Sequence, residues 1–277
     1  MSKKNYWAER QAQIQNAIGD KTIADCEKQL KKYYRQTQAT VINDFIHTYE
    51  KLLTTVNAGK EPTPADLYNL DRYWKLQAQL KVEMNKLGEK EINLLSNAFE
   101  KEWEAVYKAV SLPSDAAFTY LGTDSARAMI DNVWLIDGKN FSQRIWKHTE
   151  ELVETLNEKL IACVVSGKSP RDLKNELRER FRVSYEVADT LVKTETANIQ
   201  TQAAAQRYKD MGAKQYEFFA DSDERTCRHK KINCNDLDGK RFFFAEMEVG
   251  KNAPPIHPRC RCCITPIVDV SSGVKTQ

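Results

Sequence analysis

The chain has 277 residues, 41% hydrophobic and 29% charged, a balance that supports a large core and excludes disorder or a collagen-like repeat. Lys and Arg number 42 against 39 Asp and Glu, and the resulting net charge of +3 is too weak for a protein that coats nucleic acid. No apolar run nears the ~18 residues of a membrane span, and the opening Met1 to Trp7 lacks an export signal's apolar core, so a protein without membrane contact is expected.

Apolar positions Leu30, Tyr34, Val41, Phe45, Tyr49 and Leu52 recur at helical spacing and predict one long amphipathic helix over 20–57, with Asp20 as its N-cap. Thr63-Pro64-Ala65-Asp66 predicts a second helix that ends at Gly88. Ile92, Leu95, Phe99, Trp103 and Val106 predict a third, up to Leu112-Pro113. Long helices joined by short links pack side by side. After a turn at Asp137-Gly138, Phe141 to Cys163 predicts another helix, and Ser169-Pro170 opens a shorter one carrying Leu173, Leu177 and Phe181. Ser184 is read as the cap of a final helix reaching Gly212, with an unusually polar inner face at Glu195, Asn198 and Gln202. Trp134, Phe141 and Trp146 around the Asp137 turn read as a packed corner.

From residue 213 the pattern changes to short strands, expected at 215–220, 241–244 and 264–268. The fold class is therefore mainly α, a long-helix bundle followed by a small α+β C-terminal lobe. The division expected is 1–112, 113–212 and 213–277. A lobe of fewer than ~70 residues rarely has enough core to stand alone. A staple is at hand, because five of the seven cysteines, Cys227, Cys234, Cys260, Cys262 and Cys263, lie in the last 51 residues. Without an export signal such clustering suggests metal before disulfides, although buried spare thiols would show the same pattern. The expectation is one structural zinc held by Cys227, Cys234, His257 and either Cys260 or Cys262. Glu195, Glu224 and Asp223 lack the spacing that a catalytic zinc requires, and no phosphate loop or nucleophile elbow occurs, so no catalytic residue is assigned. Glu195 is read as a buried carboxylate paired with an arginine such as Arg225 or with backbone donors.

Trp134, Asp137-Gly138-Lys139-Asn140-Phe141-Ser142, Arg144-Ile145-Trp146, Thr194-Glu195, Arg225-Thr226-Cys227, Cys234 to Gly239 and Pro254-Pro255-Ile256-His257-Pro258-Arg259-Cys260-Arg261-Cys262 together resemble the phage Mu F-like minor head proteins, over about residues 130 to 268. The spacing between Cys227 and Cys234 is longer than that family's usual two residues, which makes His229 a substitute ligand to consider. The resemblance implies a minor capsid protein of a tailed bacteriophage acting in head assembly or genome packaging and delivery. Its implied place is inside the virion head near the portal. Its implied partners are the portal protein, with scaffold, major capsid protein and packaged DNA as further candidates. The rival reading is a zinc-dependent nuclease, with His229 or His257 as base. Family members are sometimes fused to toxin or ADP-ribosyltransferase domains, and no such domain is expected in the short tail after Cys262.

Overall fold

Long helices dominate the chain because the apolar residues keep helical spacing for many turns. A computed structural model describes residues 6–55, 63, 65–66, 71–110, 123–135, 137–221 and 233–267. In chain order the elements are α1 (Tyr6–Thr55), α2 (Asp71–Ala109), α3 (Thr123–Ile130), α4 (Phe141–Val165), α5 (Pro170–Asp210), β1 (Gln215–Phe219), α6 (Cys234–Leu237), β2 (Arg241–Phe243) and β3 (Cys263–Ile267). The strands form one antiparallel sheet in the order β2-β1-β3, with Tyr216 opposite Phe242 and Phe218 opposite Ile264. A mainly α chain with a small C-terminal sheet is thus what forms, and the three strands lie where alternation placed them.

Three expected helix boundaries are corrected. α1 starts at Tyr6, so Asp20 lies inside it and caps nothing. The face that Ala8, Gln11, Ala12 and Gln15 bury there is too small and polar to register as an apolar stripe. α2 passes unbroken through Gly88, which is there for space: a Cβ at this position would stand 2.9 Å from Cζ3 of Trp146. α5 continues through Ser184, whose hydroxyl meets Nε2 of His148 at 3.0 Å instead of capping a helix.

Packing groups the chain into two units drawn from separated stretches. One comprises Glu27–Leu94 and Ser142–Asp189. Its core joins Leu30, Phe45 and Leu52 of α1, Leu80 and Met84 of α2, Leu156 and Leu160 of α4, and Leu173, Leu177 and Phe181 of α5. A polar chain threads this core. The Ser184 hydroxyl donates to the Tyr34 phenol at 3.5 Å, and that phenol is hydrogen-bonded to the Glu91 carboxyl. With Ser184 donating onward, the His148 imidazole serves as donor to Ser184, so the chain runs His148, Ser184, Tyr34, Glu91 across four helices.

The other unit comprises Met1–Cys26, Leu95–Phe141 and Thr190–Gln277. Phe99, Trp103 and Val106 of α2, Ile199, Ala203 and Tyr208 of α5, and Tyr216 and Phe218 of β1 are all buried in it. The Gln15 amide donates to the Ile264 carbonyl at 3.2 Å, tying α1 to β3, and the Gln200 amide donates to the Gln15 carbonyl at 2.6 Å. Thr22 donates to the fully buried Glu102. Among the described residues no helix is long and apolar enough to cross a membrane.

Candidate metal centre

The short helix α6 presents Cys234 at its first position. Asn233 caps it, its side chain accepting from the Asp236 N–H at 2.9 Å while its amide donates to the Asp236 carboxylate at 2.6 Å. Behind the helix the Asp238 carboxylate accepts from the Ala220 N–H at 2.8 Å, and Gly239 turns with φ of 76° to donate to the Phe218 carbonyl. Cys234 is thereby fixed against β1, in an apolar cluster with Phe218, Leu237, Cys260 and Cys262.

The second arm is the turn His257-Pro258-Arg259-Cys260, closed by the Cys260 N–H on the His257 carbonyl at 3.2 Å. Pro258 suits its second position. Arg259, at the third, adopts φ of 62°, the left-handed region that a side chain disfavours. Two contacts hold it there: its N–H donates to the Thr194 hydroxyl at 3.1 Å, and its Nε donates to the Thr190 hydroxyl at 3.1 Å.

These two arms bring one ligand atom each of Cys234, His257 and Cys260 within 4.8 Å of one another. The Cys234 and Cys260 sulfurs are 3.9 Å apart. Two thiolates at ~2.3 Å from a tetrahedral zinc stand about 3.8 Å apart, so the separation matches a shared ion. The Nδ1 atom of His257 lies 2.8 Å from the Pro258 carbonyl oxygen, which can only accept. Nδ1 therefore carries the proton and Nε2 the lone pair, the outer hydrogen bond that usually orients a metal-binding imidazole. Hydrogen bonds from Cys234 and then Cys262 hold the Cys260 thiol well below its usual ionisation range, whereas contacts with Cys234 and Cys260, together with burial, push Cys262 far above it. The donor set fits zinc.

Of the expected ligands, Cys234, His257 and Cys260 come together, and Cys262 is buried beside the two other thiols. Cys227 and the substitute His229 lie outside the described residues, as does Arg225. Cys263 departs to a separate apolar cluster with Ala8, Ala12 and Phe219. The buried Glu195 accepts from the Trp134 indole at 2.9 Å, a partner that sequence reading did not name. Trp134, Thr194, Gln202, Lys209, His257 and Pro258 line a cleft of about 590 Å³, so Trp134 forms a cleft wall instead of a closed corner. Sequence reading also missed Thr190 and Thr194 as supports, although their spacing of four on a polar helical face was visible.

Residues 154–265 match the family model described as Phage Mu protein F like protein. This stretch of the chain belongs to that family. The Mu F-like stretch contains Cys234, His257, Cys260 and Cys262 together with Thr190 and Thr194, and its family is one of phage head morphogenesis. It begins after the Trp134 to Trp146 motifs. A curated relative, the NAD(+)–arginine ADP-ribosyltransferase EFV of Enterococcus faecalis, is 26% identical over 144 residues, covering 48% of this chain. The match takes in 30% of that protein's length. No solved structure gives a significant match.

Proposed function

We propose that the protein is a minor capsid component of a tailed phage that acts in head assembly beside the portal, and that it does so as a binding protein without a reaction of its own. The observation that carries the reading is the Mu F-like match over 154–265, a stretch that holds the Cys234, His257 and Cys260 cluster. The cluster supports a closed structural zinc, with Cys227 or Cys262 completing four ligands. A structural site has all four positions filled by protein, which leaves no place for an activated water. Zinc in such a site stabilises the folded lobe, because the unfolded chain has no matching cage. The likeness to the ADP-ribosyltransferase covers too little of that enzyme to bring its activity here.

Portal, major capsid protein and the host cytoplasm as assembly site complete the proposal, with the finished virion head as destination. Coexpression with portal and major capsid protein, followed by sedimentation, tests it. The protein is expected to travel with portal-containing particles, and its confinement to the unassembled fractions would refute the assignment. Metal analysis of the purified chain should find one zinc per molecule.

A further inference from the structure

We propose that Arg259 is a positioning residue for the metal centre, latching the His257 to Cys260 turn onto α5 so that both ligands stand ready before an ion arrives. This rests on the zinc reading above. The reasoning starts from a conflict in the backbone. A left-handed φ of 62° in the third position of a turn is where glycine is ordinarily placed, and an arginine there must be held by its surroundings. Both ends of Arg259 are held. The backbone N–H reaches the Thr194 hydroxyl and the side-chain Nε reaches the Thr190 hydroxyl, each at 3.1 Å. Thr194 in turn donates to the Thr190 carbonyl at 2.7 Å, which points its oxygen's free lone pairs at the turn. A glycine would accept the backbone angle more readily, but it has no reach to Thr190.

The residues to either side of the latch are the ligands. His257 is two positions before it and Cys260 one after, and the Cys260 N–H closes the same turn. Movement of the turn away from α5 would carry both ligands away from Cys234, which is fastened independently through Asn233 and β1. Outer partners that orient ligands typically change metal affinity by about 10- to 100-fold when removed.

Zinc affinity, measured by competition with a chromophoric chelator, and the labelling rate of the metal-free Cys260 thiol, measured by mass spectrometry, test the latch in the full chain. R259A and T190V should each weaken zinc binding about tenfold or more and speed labelling of Cys260. Their effects should fail to add in the double variant, since both cut the same hydrogen bond. R259G, which relaxes the backbone while losing the side chain, should fall between wild type and R259A. Unchanged affinity in R259A and T190V, or strictly additive losses, would overturn the latch, because a residue that merely adds general stability would act that way. If wild type takes up no zinc, the zinc reading fails by itself; labelling then decides, faster modification in R259A supporting the latch and an unchanged rate overturning it.

Discussion

The Glu91 carboxyl is hydrogen-bonded to the Tyr34 phenol in a place that leaves the two residues 2% and 5% exposed. Burial raises the Glu91 pKa from 4.5 to about 8, outweighing the lowering by Tyr34, so at neutral pH this carboxyl keeps its proton in the folded chain. In the unfolded chain it ionises near 4.5. The folded state therefore binds the extra proton between pH 4.5 and 8. Its stabilising contribution is complete below 4.5, declines as pH rises, and is gone above about 8. A shift of this size corresponds to at most about 5 kcal/mol. Glu91→Gln keeps the shape and removes the titration. Melting curves from pH 5 to 9 should fall with rising pH in wild type and fall clearly less in the variant. Parallel slopes would contradict the assignment.

Glu102 supplies the same behaviour in the other unit. Burial raises it to about 7, while hydrogen bonds from Thr22 and Gln200 act in the lowering direction. Glu102→Gln should flatten the stability profile between pH 4.5 and 7 and leave the limb above 7 unchanged, read again by melting temperature.

Gly88→Ala sets two effects against each other. Alanine favours a helix interior by about 1 kcal/mol over glycine. The added Cβ would meet Trp146 at 2.9 Å and the Thr149 hydroxyl at 3.3 Å, and forcing atoms into a packed contact costs about 1–3 kcal/mol. The half-buried indole must shift to admit the methyl, and its contact with the Gly88 backbone is lost in doing so. Net destabilisation is expected in chemical denaturation, and a gain in stability would show that the ring moves freely.

Removing the metal should lower the melting temperature by about 5 °C or more, since a ligand bound only by the folded state stabilises it. Cys234→Ser and Cys260→Ser should abolish zinc retention, whereas Cys26→Ser, buried in α1 far from His257 in sequence, should retain it. Chelator-insensitive melting together with metal-free protein would remove the site.

Trp134→Phe keeps an aromatic side chain, smaller than the indole, and deletes the N–H that reaches Glu195 at 2.9 Å. A hydrogen bond contributes about 0.5–1.5 kcal/mol, and a loss of at least that size is expected from denaturant titration.

The legible parts of the molecule were those governed by short-range pattern. Alternation over 215–220 and 264–268 placed the strands, and clustered sulfur with His257 marked the metal centre. Boundaries at Gly88 and Ser184 were misread because glycine and serine are ambiguous: the same letter ends a helix or makes room for a neighbour, and only Trp146 and His148 decide which. The start of α1 was missed because Ala8, Gln11, Ala12 and Gln15 bury a face that carries no large apolar residue. Arg259 was passed over as one cation in a run of motif residues, since its backbone angle has no signature in sequence.

The interleaved units also set an order of events during synthesis. All the residues of Glu27–Leu94 and Ser142–Asp189 have been translated once Asp189 is made, so this unit can close while the ribosome is still working. Its companion must wait, with Met1–Cys26 and Leu95–Phe141 held in abeyance, until Thr190 and the stretch beyond it emerge. The sulfurs of Cys234, Cys260 and Cys262 all follow Asp189, so metal capture comes after every residue of the first unit has been translated.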